Sequence, residues 1–183
     1  MPYECTTDLA RVAAFLRGAP AVAFDFETAP PPAFRTDARA ALDAHRAQIV
    51  GISLSVSEGN ALYIPLRHLR GGNADPEAVT AFLRDALWMN PGVLKIAHNL
   101  AFESMFLYAL GVVLQPPCYD TLAAAQLTLK SAFEFRGLGD SGLKKLVPEL
   151  LGEDMPSFED VTEGRFFDEL DSHAPETVRY ACA

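Results

Sequence analysis

The sequence is poor in the features that mark several protein classes. No apolar run reaches the roughly 18–20 residues that a membrane-crossing helix needs, so no segment is predicted to span a bilayer. There are three cysteines, Cys5, Cys118 and Cys182. They lie far apart, fall in no CxxC or Cys/His zinc spacing, and are odd in number, which argues against a zinc site and a disulfide framework. The four histidines, His45, His68, His98 and His173, show no mutual ligand spacing. Positive charge is scarce too: 15 Lys and Arg stand against 24 Asp and Glu, for a net charge of −9. Proteins that coat nucleic acid are normally basic, so charge alone excludes a general duplex binder. The acidity suits a chain that gathers carboxylates around a divalent metal and touches only a strand end, and equally suits a solvated acidic surface. Repeats and low-complexity linkers are absent. The glycine-rich stretch Gly137–Gly142 lacks the Gly-Lys-Ser/Thr of a phosphate loop. The opening Met1-Pro2-Tyr3-Glu4 has no basic leader followed by an apolar core, which predicts no secretory signal and a cytoplasmic protein.

What is present is globular: half of the 183 residues are hydrophobic and 21% are charged, enough for one domain with a real core. Thr6 or Thr7 is placed to cap a helix over Asp8–Arg17 that Gly18 stops. Ala21–Glu27 reads as a strand that enters apolar, leaves with alternating acids, and is broken by Pro30-Pro31-Pro32. Asp37–Gln48 has helical composition. Ile49–Ser57 alternates as a half-buried strand, Glu58-Gly59-Asn60 is a turn, and Ala61–Pro65 returns as its hairpin partner. Asp75 and Pro76 open a helix over Glu77–Met89. Val93–Ala97 is a short buried strand, and helices follow over Ala101–Leu110 and from Asp120 to about Leu129. Ser131–Gly142 reads as loop, Leu143–Leu151 as a helix interrupted by Pro148, and Pro175–Ala183 as a last helix. Three consecutive antiparallel strands followed by alternating strands and helices predict an α/β fold with a mixed sheet flanked by helices.

Three short constellations carry the chemistry. In Asp25-Phe26-Glu27-Thr28, residues i and i+2 of a strand share a face, so Asp25 and Glu27 project together while Phe24 and Phe26 face the core. Carboxylates roughly 7 Å apart along a strand repel unless they are solvated or bridged by a cation, and an all-oxygen cluster suits Mg2+ or Mn2+. In Lys95–Glu103, a buried strand delivers Asn99 at its end and Glu103 one helical turn later, where the helix dipole tolerates its charge. The third is Glu176–Ala183, with Tyr180 on an amphipathic turn. Each alone has an ordinary reading: a solvated strand end, an acidic helix start, a surface helix.

Taken in order, the three resemble the DEDD exonuclease superfamily, in its tyrosine-bearing branch, the 3′→5′ proofreading domain of family A DNA polymerases (DNA polymerase I type). That family carries Asp-x-Glu-Thr, then Asn-x-x-x-Asp, then Tyr-x-x-x-Asp. Ala61–Pro65, Tyr119-Asp120-Thr121, Gly142–Leu146 and Ser157–Val161 match further family segments in the same order. The resemblance implies a ribonuclease-H-like fold and phosphodiester hydrolysis at DNA 3′ ends with two divalent cations, Mg2+ or Mn2+. It implies Asp25, Glu27 and Glu103 as metal ligands and catalytic residues, and Tyr180 as the phenol orienting the attacking water. Thr28 and Asn99 would contact or support the terminal nucleotide, and Phe158 would stack on a terminal base. The implied partners are a single-stranded DNA 3′ end and a polymerase domain in the full-length protein.

Three departures stand out. Glu103 replaces the commoner Asp. Pro31 stands where some relatives place an apolar wedge. The family's last Asp follows Tyr by four residues, whereas the sequence ends at Ala183, three after Tyr180. Residues 1–183 are therefore expected to be one exonuclease domain ending before its last catalytic Asp, with weakened or absent activity. The competing expectations are a ribonuclease-D-like exonuclease acting on RNA and a non-catalytic scaffold domain of a polymerase.

Overall fold

The protein is described here as a computed structural model. It describes residues 3–37, 39–134 and 142–183, and the side chains among these except those of residues 129–134. The elements in chain order are β1 (Glu4–Cys5), α1 (Leu9–Leu16), β2 (Ala21–Ala29), β3 (Gln48–Ser57), β4 (Asn60–Pro65), α2 (Pro76–Leu83), β5 (Leu94–Ala97), α3 (Leu100–Ala109), β6 (Cys118–Asp120), α4 (Thr121–Glu134), α5 (Leu143–Leu151), α6 (Phe158–Thr162) and α7 (Pro175–Cys182).

Six strands form one mixed sheet in the order β1-β4-β3-β2-β5-β6. β2, β3 and β4 are the expected antiparallel meander, with Asp25 opposite Ser53 and Glu27 opposite Gly51. β5 and β6 add parallel to β2, and β1 pairs parallel with β4. The alternation of β2 sends Phe24 and Phe26 into the main core. Trp88 meets both rings there, edge-on to Phe26 at a centroid distance of 5.9 Å. A second apolar layer lies on the other face, where Val178 and Ala181 of α7 pack with Val50, Tyr63, Phe167 and Leu170. The acids of β2 belong to this second face, and α7 covers part of it.

Several sequence expectations are corrected. Asp37–Gln48 is not a helix: apart from undescribed residue 38, it holds a 3-10 turn at Ala40–Leu42, and Gln48 already belongs to β3. The Asp37 carboxylate accepts from the Arg39 N–H at 2.9 Å and Asp43 from the His45 N–H at 2.9 Å. Such local side-chain bonds compete with helical ones. The cap of α1 is Asp8, whose carboxylate accepts from the Ala10 N–H at 2.8 Å, while Thr6 accepts from the Asp8 N–H. β1 and β6 were not foreseen, because two or three residues are too few for a periodic signal. The helix foreseen over Glu77–Met89 divides into α2 and a wider π-type turn at Arg84–Trp88. α4 continues to Glu134, past the expected start of a loop at Ser131. The rest of that loop, residues 135–141, lies outside the described residues.

Candidate active site

The antiparallel pairing of β2 with β3 slips between Glu27 and Thr28. Such a bulge re-aims side chains at a strand end. Asp25 is exposed, whereas Glu27 is only 9% exposed. Both line a cleft of about 380 Å³, together with Lys144 of α5 and Tyr180 of α7. Glu103, on the first turn of α3, is 1% exposed and its carboxyl lies within hydrogen-bonding reach of Asp25. Asp25, Glu27, Glu103 and Tyr180 thus lie near one another, carried by three elements.

The electrostatics follow from crowding acids away from water. Desolvation, then the Asp25 charge, raises the Glu103 carboxyl to about 8. Desolvation raises Asp25 to about 6 against the bond from Glu103. Desolvation and Asp25 raise Glu27 well above the usual carboxylate range, while the Lys144 ammonium pulls it down. The phenol of Tyr180 is raised by burial, Glu27 and Asp25, so it stays protonated at neutral pH. Its ring is held by Phe158 at 6.0 Å and Phe167 at 5.7 Å. Lys144 Nζ lies 5.9 Å from its centroid.

The donor set is all oxygen, and Glu103 Oε2 is buried with no hydrogen-bond partner. Two acids in contact, one of them with a buried oxygen that lacks a partner, form an arrangement that a hard divalent cation would relieve. As they stand, the acids are not a preassembled cage: among the described residues no group of three or more His, Cys, Asp and Glu is placed to hold a metal ion. The fit is therefore one of donor chemistry and charge.

The other predicted contacts divide. The Thr28 hydroxyl donates to the Ala41 carbonyl at 2.7 Å, tying the end of β2 to the 40–42 turn, and Thr28 does not line the cleft. Asn99 is exposed and left-handed, with φ 70° and ψ 54°, a backbone that Asn tolerates better than most residues. Phe158 packs against Tyr180. Asp120 is bound to the site's frame: its carboxylate accepts from Asn99 N–H and Leu100 N–H at 3.0 and 3.1 Å, and from Leu122 N–H at 2.9 Å. One side chain at the end of β6 therefore caps both α3 and α4 and holds the turn that carries Glu103.

Sequence reasoning missed the place of Lys144, although Gly142–Leu146 was one of the matched segments. It also missed a buried support behind Glu27. Gly51, opposite Glu27, leaves room for the Tyr63 hydroxyl, which a Cβ on residue 51 would meet at 2.0 Å. Tyr63 pairs with His68 Nε2 at 2.6 Å, and His68 Nδ1 with the Leu170 carbonyl at 2.9 Å. The signal was a glycine inside an otherwise alternating strand.

Comparison with known proteins identifies the family. The 3′-5′ exonuclease family model of DNA polymerase A type matches residues 2–181. DNA polymerase I of Pseudomonas aeruginosa is 28% identical over 167 residues, covering 87% of this chain and 16% of the polymerase. DNA polymerase I of Chloroflexus aurantiacus is 31% identical over 145 residues, covering 78% and 14%. The chain thus spans about a sixth of the length of these relatives. Among solved structures, Escherichia coli RNase D, an exoribonuclease involved in structured RNA processing, aligns with a TM-score of 0.62 at 22% identity, over 100% of this chain and 41% of that one. Brucella melitensis NrnC with bound Mg2+ aligns at 0.60 and 23% identity, over 98% and 70%. These likenesses place the fold among ribonuclease-H-like exonucleases. On the ordered motifs, the mixed sheet and the family match over nearly its whole length, the chain belongs to the 3′-5′ exonuclease domain family of DNA polymerase I-type enzymes.

Proposed function

We propose that the domain removes nucleotides from the 3′ end of single-stranded DNA with the help of divalent cations held by Asp25, Glu27 and Glu103, as the proofreading part of a polymerase. The observation that carries this reading is that Asp25, Glu27 and the protonated phenol of Tyr180 line one cleft, with buried Glu103 in contact with Asp25. Mg2+ or Mn2+, two ions in this reading, would supply the positive charge that acidifies water and offsets charge on the phosphate. Asp25, in contact with Glu103 and near Glu27, would hold the cations together with them. Tyr180 stays protonated, so it acts by hydrogen bonding to the attacking water and not as a base. In the hydrolysis, the water oxygen bonds to phosphorus and the bond from phosphorus to the 3′ oxygen breaks. The proton that the water gives up is balanced by one that solvent returns to the 3′ oxygen, which leaves as a hydroxyl, and the terminal nucleotide departs as its 5′-monophosphate. Thr28 and Asn99 support this end of the site through backbone position, and Phe158 buttresses Tyr180 and offers its remaining face to a base.

The family pattern carries a further acid four residues after Tyr180, so residues 1–183 are assayed beside a longer chain carrying Asp at that position. Digestion of 5′-labelled single-stranded DNA with Mg2+ or Mn2+ should yield a ladder shortened from the 3′ end, faster in the extended chain. Asp25→Asn should abolish it. A wild-type extended chain that leaves DNA intact would refute the reading. The RNA reading is favoured by the fold shared with RNase D, and the DNA reading by 28–31% sequence identity to DNA polymerases. Matched DNA and RNA oligonucleotides decide between them.

A further inference from the structure

The cleft is lined by the acids Asp25 and Glu27, with Glu103 against Asp25, in a chain of net charge −9, yet the substrate of an exonuclease is a polyanion. Among the described residues lining the cleft, Lys144 is the only Lys or Arg. Its Cα is the second residue of α5, and its side chain is exposed to the cleft and directed over the Tyr180 ring. Helix stability does not explain a cation there. The helix dipole disfavours positive charge on a first turn, and Lys144 and Lys145 both stand on it, behind an N-cap glycine with no side-chain cap. An ammonium beside a protonated phenol and near a carboxylate presents, on the Tyr180 side of the acids, the one Lys or Arg charge among the described residues that line this cleft.

We propose that Lys144 binds the phosphate of the 3′-terminal nucleotide, contacting a non-bridging oxygen of the bond to be cut and then the phosphate of the departing nucleoside monophosphate. This rests on the nuclease reading and deepens it. Lys144 is flexible, single-charged and water-accessible, which suits a phosphate group that must enter, change and leave. It sits beside the residue assigned to the attacking water, so it fixes the phosphorus at the correct end of the cleft. Its work is binding and placement, not proton transfer.

The test compares the wild-type full chain with Lys144→Gln, Lys144→Arg and, as a charge-matched control, Lys145→Gln. The first readout is calorimetric binding of thymidine 5′-monophosphate against thymidine, with no turnover involved. The second is KM and kcat for single-stranded DNA over a range of NaCl. Lys144→Gln should lose roughly tenfold in monophosphate affinity, a change proper to one charged hydrogen bond, with thymidine binding unchanged. Its KM should rise more than its kcat falls, and the salt slope of binding should drop by about 0.7, the increment for one phosphate contact on a single strand. Lys144→Arg should recover most of this, and Lys145→Gln should resemble the wild type. Equal monophosphate affinity in Lys144→Gln, or an equal loss in Lys145→Gln, overturns the assignment while leaving the nuclease reading intact. A wild-type chain that neither binds the monophosphate nor cuts DNA overturns both.

Discussion

Replacing Glu103 by Gln should abolish nuclease activity and, in the absence of metal, make the protein more stable. Glu103 is 1% exposed and its carboxyl lies at about 8 in the folded protein, against an ordinary 4.5. Its folded pKa is therefore the higher one, so the native state binds more protons than the unfolded chain across that interval, and stability falls as pH rises through it. Above about pH 8 the whole penalty is present; below about 4.5 it is gone. At about 1.4 kcal/mol per pKa unit, the ceiling is about 5 kcal/mol. Glu103 and Asp25 titrate as a pair, so part of that belongs to Asp25. A realised gain of about 2–3 kcal/mol at pH 8.5 is the expectation, or on the order of 4–12 °C in melting temperature for a domain of this size. The assay is thermal unfolding in EDTA from pH 5 to 9. The wild type should lose stability toward high pH, the Gln variant should change less, and the two curves should converge near pH 5. Adding Mg2+ should raise the wild type by mass action and the variant much less. A variant that is equally or less stable at pH 8.5, or a difference independent of pH, would refute the claim that the acids are held together against their own repulsion.

Other outcomes follow from the same geometry. Tyr180→Phe keeps the ring between Phe158 and Phe167, so it should lower kcat by roughly 10–100-fold with unfolding unchanged; a kcat equal to wild type would remove the phenol from the mechanism. Asp120→Ala removes the cap of two helices and should cost about 2–3 kcal/mol in urea unfolding, twice an ordinary cap, whereas a cost under about 0.5 kcal/mol would show the caps to be idle. Gly51→Ala drives a methyl into the Tyr63 hydroxyl and should cost about 1–3 kcal/mol by overpacking. Combining it with Tyr63→Phe should recover part of the loss, as double-mutant thermal melts would show.

Much of the fold and site was legible in the chain because its determinants are local. The alternation Phe24-Asp25-Phe26-Glu27 specifies both which rings enter the core and which acids share a face, through the two-residue period of a strand. The hairpin of β3 and β4 is written in its turn, and α2 in its Asp-Pro start. The order of the three short motifs singled out Asp25, Glu27, Glu103 and Tyr180 as candidates, although no spacing along the chain says that they lie together. What only the tertiary structure decided depends on residues far apart in sequence. Asp120 joins two helix starts because β6 lies beside β5, and a three-residue strand has no period to read. Asp37–Gln48 fails to be a helix because its aspartates satisfy nearby N–H groups, which composition does not reveal. The contact of Glu103 with Asp25, the lifted carboxyls, and the placing of Lys144 over Tyr180 arise from desolvation and approach across elements. The sequence determined which charges the protein owns; packing decided how much water each one keeps.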